Sequence, residues 1–252
     1  MARTVLITGG SSGIGAAMVR KFSSEGFTVW FTYLSGIESD SPGSTDANSR
    51  AFPLDLNDRA SIESLAKALP YSPDIVIHNA GVGSATVKRV SDEAHLQDEA
   101  LIKINAIGTL WLNELLLPHF KERNSGTIIF LSSVGGGITQ VPGFRYADGM
   151  SKAAIAFLGR ILAADLAQSG INVFTICPGA TSTPMFEAST LAGLDSLSRE
   201  KLIAALPKGR MIEAEEIAAL AHFLTTDAAK PLHGAVLDAS MGLGVNPGLL
   251  QK

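Results

Sequence analysis

The sequence has few of the residues that mark secreted, membrane-bound or nucleic-acid-binding proteins. It contains one cysteine, Cys177, which excludes an intrachain disulfide and fits a reducing compartment. Charged residues make up only 17% of the chain and the net charge is -4, which argues against a basic surface for nucleic-acid phosphates. No apolar run reaches ~18 residues without a polar break, and no signal peptide precedes the apolar run that starts at Thr4. We therefore expect a cytoplasmic protein with neither a membrane nor a nucleic-acid partner.

Metal-ligand spacing is also missing. The 5 histidines and the single cysteine are scattered along the chain without the short repeats that place ligands around one ion. No metal site is therefore predicted.

Hydrophobic residues, at 46% of 252 residues, are sufficient for one sizeable core and a single α/β domain. Apolar runs rich in β-formers occur at 4–8, 27–33, 50–54, 74–79, 126–132, 171–177 and 234–238. Amphipathic helical patterns lie between them at about 13–25, 58–69, 93–121, 147–168 and 213–226. Runs that are apolar throughout are typical of parallel strands covered on both faces. The alternation predicts a doubly wound, seven-stranded parallel sheet with helices on both faces. Two stretches fit neither pattern, at 37–49 and at about 183–210.

A glycine-rich turn joins the first strand to the first helix. Residues 8–15 read TGGSSGIG, with glycines at 9, 10, 13 and 15. Glycines permit a tight turn and a close backbone approach, and a helix N-terminus offers free N–H groups and a positive dipole to a pyrophosphate. The position between an apolar strand and an amphipathic helix favours dinucleotide binding over a tight turn without a ligand.

Several further segments agree with one family. The Gly-x-x-x-Gly-x-Gly spacing, HNAG at 78–81, Asn105 in KINAIGT, SSVGG beginning at Ser132, CPGATSTPM at 177–185 and the segment 208–238 resemble the short-chain dehydrogenase/reductase family over nearly the whole chain. The resemblance implies a Rossmann-type single domain over 1–252 and transfer of a hydride between NAD(P)(H) and a small-molecule carbonyl or secondary alcohol. It also implies a homodimer or homotetramer.

The resemblance also assigns site residues. In the family a Tyr is the acid/base, a Lys lowers the pKa of that Tyr and binds ribose, a Ser polarises the carbonyl and an Asn holds a water. The matching catalytic positions are Ser133, Tyr146, Lys152 and Asn105. The matching cofactor-binding positions are Gly9, Ser11, Ser12, Gly13, Ile14, Gly15, Ser35, Asp55, Leu56, Asn79, Ala80, Gly81, Lys152, Pro178, Gly179, Thr181 and Thr183.

Purely structural roles remain open for several of these residues. Ser132 could replace Ser133, and Asn105 could be a buried amide that satisfies the helix interior. Asp55 and Thr183 could each belong to a helix N-terminus. His78 takes the place of the family's first Asn and is interpreted as a structural hydrogen-bonding group.

One spacing departs from the family, which places Tyr four residues before Lys. In this chain the residue four before Lys152 is Asp148, whereas Tyr146 lies six before it, about 240° around an ideal helix. Counted from Ser133, however, Tyr146 has the usual separation of thirteen. We predict that Tyr146 is the acid/base and that an irregular first turn at Asp148-Gly149 brings it back to the site. The alternative is that Asp148 takes the position, as a carboxylate that cannot donate a proton beside Lys152. Asp148 could also be only a helix cap or an ion-pair partner of Lys152.

The choice between NADP and NAD depends on the end of the second strand. An acidic residue there would bind ribose hydroxyls and select NAD, but the chain has Thr32, Tyr33 and Ser35. Basic residues for a 2′-phosphate are also absent, since Ser12 stands where NADP-using relatives often carry Arg or Lys, and Glu38 and Asp40 follow in the loop. Hydroxyls and backbone N–H groups can bind phosphate without a formal charge. NADP is therefore favoured slightly.

Overall fold

The computed structural model describes residues 2–35, 48–137, 139 and 144–246. Most of the loop-like stretch predicted at 37–49, including Glu38 and Asp40, lies outside the described residues.

Seven parallel strands form one sheet in the order β3-β2-β1-β4-β5-β6-β7. They are β1 (Thr4–Ile7), β2 (Thr28–Tyr33), β3 (Ser49–Pro53), β4 (Ile75–His78), β5 (Gly126–Leu131), β6 (Ile171–Pro178) and β7 (Val236–Ala239). The predicted doubly wound parallel sheet is confirmed, and each predicted strand lies within a few residues of an observed one. The strand order reverses at β1 and β4, which leaves a crevice at their carboxyl ends.

Helices cover both faces of the sheet. They are α1 (Gly13–Ser24), α2 (Arg59–Ala68), α3 (Ala94–Ile102), α4 (Thr109–Arg123), α5 (Tyr146–Asp165), α6 (Pro184–Phe186), α7 (Ser196–Ala205) and α8 (Ala214–Phe223). On one face α1 and α8 bury Phe22 and Ile217 against the sheet. On the other face α2, α4 and α5 bury Ile62, Leu116 and Ile155. The stretch at 183–210, predicted to be irregular, contains α6, α7 and short helical turns.

The long helix predicted at 93–121 is interrupted where it passes the crevice. Residues Lys103–Gly108 form a π-helical segment between α3 and α4. Asn105 lies within this segment and is 2% exposed. Gly108 is packed so closely that a Cβ there would lie 2.2 Å from the carbonyl oxygen of Leu56. The sequence indicated an irregular turn at Asp148-Gly149, but α5 is α-helical there. The irregular segment at Lys103–Gly108 was not predicted.

The same helical run, Ala94–Arg123, is long and apolar enough to cross a membrane by length and composition alone. It is packed within the domain, where α3 contacts α5 and α4 contacts α2. Its most apolar 18-residue window has a mean hydropathy of 1.3, and 44% of that window is buried within the domain.

His78, the last residue of β4, is buried in this core. Its ring stacks on Phe130 at 4.9 Å between centroids, and its Nε2 has no hydrogen-bond partner among the described residues. Burial lowers the pKa of His78 from 6.5 to about 4, although a hydrogen bond with Asn113 favours the protonated form. The ring is therefore held neutral in the folded protein.

Acidification should therefore destabilise the fold through His78. Below pH 6.5 the unfolded chain binds a proton that the folded chain rejects until the pH approaches 4. Stability should fall across this window by on the order of 3 kcal/mol. In urea unfolding at pH 7, 5.5 and 4.5, His78→Asn should flatten this dependence, whereas the exposed control His95→Asn should not. An unchanged pH dependence in His78→Asn would contradict the assignment.

Candidate active site

A large cavity opens at the carboxyl ends of the strands, at the point where the strand order reverses. Its volume is about 740 Å³, and it receives residues from the glycine turn, from the ends of β2, β4, β5 and β6, and from α5. All seventeen residues predicted to bind the cofactor line it, from Gly9 to Thr183. Of the four predicted catalytic residues, Ser133 and Lys152 line the cavity, whereas Asn105 and Tyr146 do not.

The glycine turn leaves backbone open to the cavity. Gly9 has a φ of 68°, and a Cβ there would lie 2.9 Å from the Cα of Ala80. A Cβ on Gly15 would lie 2.0 Å from the carbonyl oxygen of Gly9. Ser12 caps α1 without a side-chain hydrogen bond, so it leaves the first N–H groups of the helix available. This cradle, which only glycines can form, fits the pyrophosphate of a dinucleotide.

Hydrogen bonds between β1 and β4 hold the floor of the cavity. The N–H groups of Asn79 and Ala80 both donate to Thr8 Oγ1 at 2.9 Å. The Asn79 side-chain amide donates in return to the carbonyl oxygens of Thr8 and Gly9, at 2.9 and 3.2 Å. On the other side, Gly9 N–H donates to Thr32 Oγ1 at 3.1 Å. The turn is thus fixed to both neighbouring strands before any ligand binds.

The end of β2 forms one wall of the cavity with Thr32, Tyr33, Leu34 and Ser35, and no carboxylate is among these four residues. Asp55 and Leu56 lie across from them. The side chain of Asp55 accepts a hydrogen bond from Asn57 N–H, whereas Asp58 is the N-cap of α2.

The geometry of α5 decides whether Tyr146 or Asp148 lies beside Lys152. It is α-helical from Tyr146 to Asp165, so Asp148 and Lys152 lie one turn apart and both line the cavity. Tyr146 lies on the outer face and is 83% exposed. The prediction that an irregular turn brings Tyr146 into the site is therefore wrong for this structure, because six residues of a regular helix place Tyr146 about 240° around the axis from Lys152.

Asp148 is buried, and hydrogen bonds fix its side chain. It is 7% exposed, and its Oδ2 accepts hydrogen bonds from the Ser84 N–H at 2.7 Å and the Ser84 hydroxyl at 2.8 Å. The Ser84 oxygen accepts in turn from Arg145 N–H, which orients the hydroxyl toward the carboxylate. Arg145 is the N-cap of α5, so Asp148 is not the cap. Two donors on one oxygen fix the orientation of the Asp148 carboxyl group.

Lys152 lines the cavity beside Gly81, and its Nζ donates to the carbonyl oxygen of Leu131 at 3.4 Å. Burial lowers the pKa of Lys152, and the Asp148 charge opposes this shift. The two side chains attract each other through the cavity without forming a direct ion pair among the described contacts.

The two serines after β5 have different roles. Ser132 is 5% exposed and its hydroxyl donates to the Lys152 carbonyl oxygen at 2.7 Å, which ties β5 to α5. Both serines line the cavity, but the Ser133 hydroxyl has no partner among the described residues. Ser133 is therefore the serine available to a substrate.

Asn105 does not line the cavity but supports it through side-chain hydrogen bonds. Its amide accepts from Val82 N–H and donates to the Val82 carbonyl, both at 2.8 Å. It also donates to Ser151 Oγ at 2.9 Å, and that hydroxyl donates to the Asp148 carbonyl. These bonds occupy the Asn105 side chain and connect the π-helical segment to the first turn of α5.

Apolar side chains also line the cavity, among them Val90, Phe144, Met185 and Phe186. Thr183 has two roles there, since it lines the cavity and its Oγ1 caps α6 by accepting from Phe186 N–H. Among the described residues, no three His, Cys, Asp or Glu side chains cluster as metal ligands would.

Sequence reasoning missed three residues of the site. Thr32 and Thr8 have a detectable signal, since both sit at strand ends next to the glycine turn. Ser84 has none, because its contact with Asp148 joins residues 64 apart in the chain.

Comparison with known proteins agrees with this geometry. A family model described as Enoyl-(Acyl carrier protein) reductase matches residues 9–244. Oxidoreductase UcpA of Salmonella typhimurium is 34% identical over 92% of this chain and 90% of its own length. The 3beta-hydroxysteroid dehydrogenase 1 of Eggerthella lenta is 32% identical over 98% of this chain and 95% of its own.

Among solved structures, that of levodione reductase superposes with a TM-score of 0.85 at 28% identity, and covers 97% of this chain and 98% of that one. Together with the cavity, the glycine cradle and the matched residues, these similarities identify the chain as a member of the short-chain dehydrogenase/reductase family of NAD(P)-dependent oxidoreductases.

Proposed function

We propose that this enzyme uses the Asp148 carboxylate, and not the Tyr146 hydroxyl, as the group that takes the proton from the substrate oxygen. The observation that carries the proposal is the position of Asp148, which lines the cavity one turn before Lys152 while Tyr146 is 83% exposed.

NADP(H) or NAD(H) would occupy the cavity, with its pyrophosphate on the N-terminus of α1. When bound, the dinucleotide supplies or accepts a hydride at its nicotinamide ring. The described end of β2 offers hydroxyls and backbone groups but no carboxylate to repel a 2′-phosphate, which supports the slight preference for NADP.

Asp148 suits the oxidation of an alcohol better than the reduction of a ketone. A carboxylate held by two hydrogen bonds can accept the hydroxyl proton as the carbinol carbon becomes a carbonyl. The free Ser133 hydroxyl can donate to the substrate oxygen, and Lys152 can bind the ribose. Reduction of a neutral ketone needs a proton donor, and the ionised carboxylate is not one.

The first test compares two variants in a dehydrogenation assay. With NADP⁺ or NAD⁺ and a panel of secondary alcohols, Asp148→Asn should lower kcat/KM by at least about 10²-fold, because an amide cannot accept the proton. Tyr146→Phe should stay within about threefold of the wild type, a change worth well under 1 kcal/mol in the barrier. Dinucleotide affinity should be unchanged in both.

Two results would contradict the proposal. A large loss in Tyr146→Phe with an active Asp148→Asn would restore the tyrosine as acid/base. Tight dinucleotide binding without turnover of any alcohol or ketone would favour a catalytically silent sensor or partner subunit.

We further propose that the chain is a homodimer or homotetramer that uses the outer face of α5. Tyr146, Met150, Phe157 and Ile161 are 83%, 62%, 67% and 47% exposed, and their spacing places them on one side of the helix. A continuous apolar stripe of this kind is typical of a surface that another chain covers. The residue predicted from sequence as catalytic thus belongs to this stripe.

Phe157→Glu should dissociate the oligomer, because it would bury a charge in the interface. Light scattering after gel filtration should give the monomer mass for this variant and the oligomer mass for the wild type. Val245→Glu adds the same charge at an 84% exposed position off the stripe and should leave the mass unchanged. A monomeric wild type, or an unchanged mass in Phe157→Glu, would contradict the interface.

The proposed location is the cytoplasm, with small molecules as substrates. The single cysteine is buried, and the net charge of -4 is unsuited to nucleic acid.

A further inference from the structure

We infer that the cavity also binds an organic cation beside Asp148, so that an iminium ion and its amine form a second substrate class beside the secondary alcohols. This inference rests on the proposed function, since it assigns a substrate to Asp148 in that same site. It follows from which atom of Asp148 is open, which charges surround it and what the cavity wall is made of.

The open atom is Asp148 Oδ1. Both hydrogen bonds from Ser84 go to Oδ2, and Oδ1 has no partner among the described residues. Among the described residues, the polar atoms that are both fully buried and without a hydrogen-bond partner do not include Oδ1. This oxygen is therefore accessible from the cavity that Asp148 lines. A carboxylate oxygen that is free and accessible is an acceptor for a cationic or N–H-bearing ligand.

The other charges of the cavity leave that oxygen without a direct partner. Lys152 attracts the carboxylate, but its Nζ donates to the Leu131 carbonyl and forms no ion pair with Asp148 among the described residues. Arg89 is exposed at the rim, where its Nε donates to the Thr86 carbonyl. Asp55 is the remaining charged residue of the wall, and it follows β3, the strand paired with β2. Asp148 is the carboxylate of the described wall that lies on α5, one turn before Lys152.

Apolar side chains of the cavity wall suit a lipophilic cation. Val90, Phe144, Met185 and Phe186 line the cavity, and a Cβ on Gly83 would lie 3.4 Å from Met185 Sδ and 3.5 Å from Asp148 Oδ2. The carboxylate and the apolar wall therefore meet at Gly83. Aromatic faces attract cations, and an apolar wall strengthens a charge pair by excluding water.

Reduction of an iminium ion, unlike that of a ketone, needs no proton donor, so an ionised carboxylate does not prevent it. Its carbon accepts a hydride to form a C–H bond, and the C=N π pair becomes the lone pair of a neutral amine. The reaction consumes one hydride and no proton, and the positive charge passes to the oxidised nicotinamide. An anion beside the iminium holds the substrate without having to act as an acid.

The test measures binding separately from turnover. Calorimetric titration at pH 7, with and without NADP⁺, would compare cyclohexylammonium with cyclohexanol, which has the same ring without the charge. The wild type should bind the cation at least about tenfold more tightly, a difference of about 1.4 kcal/mol. Asp148→Asn should abolish the preference, whereas Asp165→Asn, an exposed carboxylate on the same helix, should retain it.

A second arm compares substrates of one shape. With NADPH, the wild type should reduce N-methyl-3,4-dihydroisoquinolinium at least tenfold faster than α-tetralone, judged by kcat/KM. Equal affinity for cyclohexylammonium and cyclohexanol, or a preference that survives in Asp148→Asn, would overturn the inference. Loss of NADP⁺ binding in the wild type would instead overturn the proposed function, and the titrations without NADP⁺ would still decide the cation preference.

Discussion

The geometry of a regular helix is the constraint on which the site depends. On α5 the residue one turn before Lys152, Asp148, shares its face, whereas Tyr146, six residues before, does not. The hydrogen bonds from Ser84 fix the Asp148 carboxylate, and the Ser132 bond to the Lys152 carbonyl fixes the helix against β5. Asn105 and Ser151 add a third tie to the first turn. The carboxylate position is therefore built into the packing of three elements.

Most of the fold could be predicted because its signals are local. Strands that are apolar throughout, such as β1 and β6, can only be parallel strands buried on both faces, and the glycine turn marks the first crossover. The π-helical segment at Asn105 has no such signal. It depends on hydrogen bonds to Val82, which lies 23 residues away, so the local pattern reads as one continuous helix.

The cofactor cavity was predictable for the same reason, since its residues follow strand ends that must meet at one edge of the sheet. The proposed reacting group, Asp148, was not predictable in this way. Counting from Ser133 favours Tyr146, but the chain between them can take up two extra residues, whereas the helix that contains Lys152 cannot. Distance along a loop is a weaker guide to position than distance along a helix. Ser84, which holds Asp148, was invisible to any argument from spacing.

The most direct measurement of the central claim is a crystal structure with NADP⁺ bound. The account predicts that the Asp148 carboxylate, still bound to Ser84, lies beside the Ser133 hydroxyl and the nicotinamide C4, with Tyr146 on the outer face of α5. A Tyr146 hydroxyl within hydrogen-bond distance of Ser133 Oγ and the nicotinamide ribose, with Asp148 turned away from the cavity, would contradict it.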